Sequence, residues 1–143
     1  MNTSSILLVE DHAGFARALL NMLAQNPSLK IVAVADSAEA ALLYMRDAQV
    51  DLVLIDYSLP DTNGISLLQS LHTEYPALAC AILSGHLSLQ HARRALEAGA
   101  RGYLIKDNPG GILSGIQHIL RGEIYLSEEL RNLGSTDLLT DTI

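Results

Sequence analysis

The sequence predicts a doubly wound α/β fold built on a five-stranded parallel sheet, and three observations carry that expectation. Short runs rich in Leu, Ile and Val alternate five times with longer stretches whose apolar residues recur at helical spacing. Several short runs, ILLV and LVLI among them, are apolar at consecutive positions, as in parallel strands covered on both faces. Strands linked by helices need crossover connections, which are right-handed and bring the strands into one mostly parallel sheet.

The strands are expected at residues 5–9, 30–35, 51–55, 78–83 and 101–105, with helices at 13–25, 38–47, 65–75, 88–98 and 109–121. The punctuation between them is legible. Ser37 stands where its hydroxyl can accept a free N–H of the second helix. Gly99 and Gly122 stand where the fourth and fifth helices must stop. Pro109 suits the first turn of the fifth helix, where its missing N–H is not needed. Within that helix Ile112, Leu113, Ile116, Ile119 and Leu120 form one apolar stripe, which is core packing. After Gly122 the pattern changes: one short helical stretch around residues 127–133 is followed by a polar GSTD sequence. Residues 1–122 are therefore expected to form the domain, and 123–143 a linker or tail.

A chain of 143 residues can bury a core without disulfides or structural metal. With 49% apolar residues, one Phe and no Trp, that core must be aliphatic. The formal net charge is −7, and the nine Lys and Arg are scattered, so no stripe exists that could track a nucleic-acid backbone. Direct nucleic-acid binding by this chain is not expected. Cys80 lies in an apolar run, has no second cysteine to pair with, and reads as a small core residue in a reducing compartment. The opening MNTSS lacks the basic flank and long apolar stretch of an export signal. No apolar run approaches the ~20 residues that span a bilayer, so no membrane association is expected.

Ligands of such sheets gather outside the carboxyl ends of the strands, and the residues there are chemically suggestive. Glu10 and Asp11 follow the first strand, Asp56 the third, Ser84 and Gly85 the fourth, and Lys106 the fifth. Acids at loop starts are ordinary one at a time, and a lysine at a strand end is usually just solvated. Three carboxylates at one sheet edge repel one another unless a cation relieves them, and a hard ion with oxygen ligands does so. Mg2+ is the natural candidate because it retains waters and accepts phosphate oxygens. Acids, hydroxyl and ammonium together could hold a cation and a phosphoryl group.

The same residues carry a family resemblance. ILLVEDH, LVLIDYSLPDTNG, AILSGH and EAGARGYLIKDNPGG resemble, in order and spacing, the successive signatures of the receiver domains of two-component response regulators. The likeness spans residues 5–126 and is closest to the branch that precedes a LuxR/NarL-type helix-turn-helix. It implies a flavodoxin-like, CheY-like strand order of 2-1-3-4-5. It also implies that Asp56 accepts a phosphoryl group from a phosphohistidine on a sensor histidine kinase. Glu10 and Asp11 match the acid pair that holds Mg2+, with Asp56 and the Ser58 backbone carbonyl as further ligands. Ser84 and Lys106 match the residues that bind the phosphoryl oxygens, and Tyr103 the aromatic that turns with the switch. Ser58 and His86 match positions that influence how long the acyl phosphate lasts.

On that resemblance the protein is a cytoplasmic signalling phosphoacceptor rather than a turnover enzyme, assisting its own phosphotransfer and dephosphorylation. The face made by the fourth helix, fifth strand and fifth helix would relay the change, with a homodimer through that face as one outcome. The sequence Leu138 to Thr140 resembles the junction to an output domain, so either a transcription-regulating domain lies outside this chain or the receiver acts alone by docking. Two departures stand out. Asp107 occupies the position after Lys106 where Pro is common, and Glu10 replaces the more usual Asp. Three other classes fit less well. A phosphatase with an aspartyl nucleophile requires an Asp where Ser58 stands. A nucleotide site requires a glycine-rich loop where Glu10-Asp11-His12 stands. A binding module independent of phosphorylation leaves the complete acceptor set unexplained.

Overall fold

The computed structural model describes residues 2–133. Strands β1 (Ser4–Val9), β2 (Leu29–Ala35), β3 (Leu52–Asp56), β4 (Ala79–Ser84) and β5 (Gly102–Ile105) alternate with helices α1 (Ala13–Leu23), α2 (Ala38–Arg46), α3 (Gly64–Glu74), α4 (Leu89–Glu97) and α5 (Pro109–Leu120). A sixth short strand, β6 (Tyr125–Leu126), completes one parallel sheet in the order β2-β1-β3-β4-β5-β6. The expected order 2-1-3-4-5 is present, extended by one strand.

The consecutive apolar residues of the central strands divide between the two faces, as a period of two requires. Leu7, Val9, Val53, Ile55, Ile82 and Tyr103 face α2, α3 and α4 and pack with Ala41, Met45, Leu67, Leu71, Ala92 and Ala95. Ile6, Leu8, Leu52, Leu54, Leu83 and Leu104 face α1 and α5 and pack with Leu19, Leu23, Ile112, Ile116 and Ile119. Every one of these side chains is buried. Cys80 belongs to the first layer, and burial pushes its thiol up to about 12. Its thiolate is the reactive form. Native protein is therefore expected to resist Ellman's reagent, with one thiol reacting per chain only on denaturation; rapid reaction of the native protein would contradict the burial.

Ser37 caps α2 as expected, and three further helices begin on polar caps that the sequence alone did not single out. The Ser37 hydroxyl accepts from the Ala40 N–H (3.0 Å), Asn63 from Ser66 (2.9 Å), Ser88 from His91 (3.1 Å) and Asn108 from Gly111 (2.9 Å). Gly99 and Gly122 adopt left-handed φ values of +107° and +92° immediately after α4 and α5, which explains glycine at both exits. The first helix ends two residues earlier than expected, because the Ala24 N–H closes the last turn on Leu20 and Met22.

The stretch expected to open the tail instead begins inside the sheet. The Tyr125 N–H donates to the Arg101 carbonyl (2.9 Å) and the Ser127 N–H to the Tyr103 carbonyl (3.2 Å). Residues 128–133 are helical, as expected, and plant a fully buried Leu130 in the layer that contains Tyr103. Two residues of strand are too few to show a periodicity, so only three-dimensional pairing reveals them. The Leu138 to Thr140 junction lies outside the described residues. No helix among the described residues is long and apolar enough to cross a membrane.

Candidate functional site

Strands β1, β3, β4 and β5 run parallel with their carboxyl ends aligned: Val9 pairs with Ile55, Asp56 with Leu83, and Ser84 with Ile105. The first polar residues past these strands must therefore meet. Glu10 and Asp56 are buried, at 2% and 6% exposure, while Asp11 is exposed. Ligand oxygens of the three carboxylates lie within 4.8 Å of one another. The Lys106 ammonium reaches across from β5 to Glu10 Oε1 at 2.7 Å and Asp56 Oδ2 at 3.1 Å.

Backbone amides hold the remaining oxygens. The His12 N–H donates to Glu10 Oε2 (3.1 Å) and the Ser58 N–H to Asp56 Oδ1 (3.2 Å). One oxygen of each buried carboxylate is thus fixed by its own loop, and the other is aimed at the shared ammonium. Burial raises the Glu10 pKa, with the Asp56 charge acting in the same direction against the lowering effect of Lys106. For Lys106, burial works against the charged form, but the bonds to Glu10 and Asp56 prevail and its pKa is raised. The ammonium also sits 4.8 Å above the Phe15 ring of α1, a favourable placement for a cation.

Ser84 lies one residue beyond Leu83, the register partner of Asp56, and is buried. Its hydroxyl oxygen accepts the His86 N–H (3.0 Å), so it is engaged by the β4–α4 turn rather than by a carboxylate. Tyr103 is fully buried and donates its phenol to the His86 carbonyl (3.1 Å). The turn after β4 therefore ties Ser84 and Tyr103 to one residue, and movement of that turn must disturb both. Ser58 lies in the loop after Asp56. The residues expected at the site thus form two linked groups, the carboxylates with Lys106 and the Ser84–His86–Tyr103 turn.

Burial raises the Tyr103 pKa above its ordinary value near 10.0. A proton held more tightly by the folded state adds stability below the ordinary pKa and loses it as pH climbs through the folded one. Lys106 is raised in the same sense. Chemical denaturation is expected to show stability falling steeply above about pH 10, with the fall reduced in Tyr103→Phe; a wild-type profile flat across that range would contradict the buried phenol.

Three residues that matter here were not singled out by their sequence positions. Phe15 supports Lys106. The Asp61 carboxylate, in the loop after β3, accepts the N–H groups of Ala38 and Glu39 at the start of α2. His91 on α4 stacks on Tyr57 with ring centroids 4.3 Å apart. Asp61 sits within the Pro-Asp-Thr-Asn turn sequence, where an acid signals a turn and nothing more; its reach to α2 is a property of the fold.

The carboxylate cluster offers only hard oxygen donors, all close enough for one divalent ion to be shared directly or through retained waters, which suits Mg2+ better than a soft metal. The two buried carboxylates of Glu10 and Asp56 share the Lys106 ammonium between them, with the Asp11 carboxylate close beside. These residues therefore fit a Mg2+ site.

A parallel sheet whose strand ends converge three acids, a hydroxyl and an ammonium defines the class, and residues 6–117 match it: the chain belongs to the response regulator receiver domain family. It is 37% identical over 105 residues to the DNA-binding transcriptional activator DevR/DosR of Mycobacterium tuberculosis, covering 73% of this chain and 48% of that one. It is 28% identical over 128 residues to the nitrate/nitrite response regulator NarL of Escherichia coli, covering 89% of this chain and 59% of that protein. Among solved structures, a LuxR-family two-component response regulator from Aurantimonas sp. SI85-9A1 superposes with a TM-score of 0.89 at 27% identity, covering 99% of each chain. The chain spans about half the length of these curated relatives. Receiver domains are generally phosphorylated by histidine kinases and bind Mg2+ at an acidic pocket, and this chain has such an acidic cluster.

Proposed function

We propose that Asp56 is the phosphoacceptor and that Glu10, Asp11, Asp56 and the Ser58 carbonyl hold the Mg2+ needed for the transfer. The observation that carries this is the shared ammonium: Lys106 bridges Glu10 and Asp56, so the buried Asp56 carboxylate stands beside a positive charge. A carboxylate oxygen of Asp56 attacks the phosphorus of a phosphohistidine; the O–P bond of an acyl phosphate forms as the N–P bond breaks, and the leaving imidazole takes up a proton. Two anions approach one another in that step, so charge neutralisation is the main requirement. Bound Mg2+ would supply a hard Lewis acid for the phosphoryl oxygens. Lys106 would leave Asp56 Oδ2 and follow the phosphoryl group, keeping Glu10 paired.

Switching follows from the second group. The Ser84 hydroxyl would rotate from the His86 N–H to a phosphoryl oxygen, which unties the β4–α4 turn from Ser84 and alters the carbonyl that Tyr103 bonds. The α4–β5–α5 face would carry the change to a DNA-binding output domain, as the relatives' transcriptional roles suggest, or to a second copy of the chain. The protein would work in the cytoplasm, beside its kinase. Its own residues would speed both gain and loss of the phosphoryl group, with Ser58 and His86 governing access of water to the acyl phosphate.

Acetyl phosphate with Mg2+ is expected to add one phosphoryl mass to the intact protein, and chelation by EDTA to abolish it. Equal labelling without the metal would remove the Mg2+ half of the proposal, and no labelling of the native protein with either acetyl phosphate or a histidine kinase would remove the other.

A further inference from the structure

The turn that follows Asp56 is internally braced. The Leu59 N–H donates to the Thr62 carbonyl (3.1 Å), Ser58 and Asn63 form a single antiparallel bridge, and the Gly64 N–H donates to the Tyr57 carbonyl (2.6 Å). A turn closed in this way moves as one piece, so whatever anchors its tip also sets the position of its base, where Ser58 stands. The tip is anchored on a different element. Asp61 Oδ1 accepts the Ala38 N–H and Oδ2 the Glu39 N–H, both at 3.1 Å, while Ser37 caps the next amide, Ala40, at 3.0 Å. Two orphan donors of α2 are thus satisfied from a residue 23 and 22 positions later, and the amide bonds pull the Asp61 pKa down. A carboxylate whose two oxygens grip two successive amides has little freedom to translate or rotate.

We infer that Asp61 is a positioning residue for the Mg2+ site: by clamping the β3–α3 turn to the start of α2 it fixes where the Ser58 carbonyl meets the ion. The inference rests on the function proposed above. It accounts for an exposed acid that makes no contact with Lys106 or the other carboxylates yet is tied down more firmly than Asp11, which is exposed within the cluster itself.

Ser37 provides the control that separates positioning from helix capping. Ser37→Ala removes a cap of the same helix terminus without touching the turn, whereas Asp61→Ala removes the cap and frees the turn. Each should lower the thermal midpoint by a few degrees. Titration calorimetry with Mg2+ is then expected to show weaker binding in Asp61→Ala by at least about 3-fold, short of the ~10–100-fold typical of losing a group that directly orients a ligand. Ser37→Ala should bind as the wild type does. Asp61→Asn, which keeps one acceptor oxygen, should fall between, and it serves if Asp61→Ala is poorly folded. With acetyl phosphate, the Mg2+ concentration for half-maximal labelling should rise in Asp61→Ala while the rate at saturating Mg2+ stays within about twofold, since the reacting groups themselves are intact. Unchanged Mg2+ affinity in both Asp61 variants beside a wild type that binds the ion would overturn this inference alone. Equal weakening in Ser37→Ala and Asp61→Ala would also overturn it, because helix stability would then be the cause. A wild type that binds no Mg2+ would overturn the proposed function, and the positioning role with it.

Discussion

Lys106→Ala is expected to slow phosphoryl uptake by Asp56 about 100- to 1000-fold, the usual consequence of removing one charge-stabilising donor from a phosphoryl or acyl transfer site. The ammonium is the only cation within 4 Å of both Glu10 and Asp56 among the described residues, and Glu10 Oε1 has no hydrogen-bond donor besides it. Its loss leaves two buried carboxylates facing one another, and a proton or a metal ion must take its place. Mg2+ binding is therefore expected to hold or tighten while the chemistry slows, a split that separates a charge-neutralising role from a structural one. Initial rates of mass gain with acetyl phosphate at saturating Mg2+, beside calorimetry of the ion, read the two effects independently. A rate within threefold of wild type would contradict the role given to Lys106.

Gly64→Ala should be the most damaging small substitution near the site. A Cβ at Gly64 would overlap the backbone carbonyl oxygen of Asp56 and lie 3.1 Å from both the Asp56 carbonyl carbon and Ile55 Cγ2. None of these atoms is the free end of a flexible chain: two belong to the backbone of β3, and the third to a fully buried side chain. Either α3 withdraws from the sheet or Asp56 shifts. Overpacking of this kind costs about 2–3 kcal/mol. A displacement of the nucleophile by even ~1 Å would lower the labelling rate by about tenfold or more. Gly85→Ala supplies the contrast, because a Cβ there meets nothing within 4 Å and should leave stability within about 0.5 kcal/mol of wild type. Denaturant titrations of the two variants would test the pair; equal stability would show that the approach of α3 to Asp56 is looser than the structure has it.

Most of this architecture could be read in the sequence because its causes are local. Alternating apolar segments specify the strands and helices, Ser37 and Pro109 mark helix starts, and Gly99 and Gly122 mark exits that only a left-handed residue fits. The gathering of Glu10, Asp11, Asp56 and Lys106 was legible because a parallel sheet puts the ends of neighbouring strands together. What escaped depends on contacts between distant segments. Two residues of β6 gain their pairing only once β5 presents a free edge, and Asp61 reaches α2 only once β2 and β3 have been placed. The Ser84 hydroxyl could be assigned to the sheet edge but not to the His86 amide, since the path of a short turn is set by packing rather than by composition. Phe15 carried no signal of its own in the sequence; its place beneath Lys106 appears only when α1 has packed on the sheet.

The most direct trial is to map the phosphoryl group. After labelling with acetyl phosphate and Mg2+, borohydride reduction and peptide mass spectrometry should place the modification on Asp56 alone, with Asp56→Ala remaining unlabelled though folded. A label of equal stoichiometry on Asp56→Ala, or one found on Glu10, Asp11 or a histidine of the native chain, would mean that the convergence at the strand ends does not make Asp56 the acceptor.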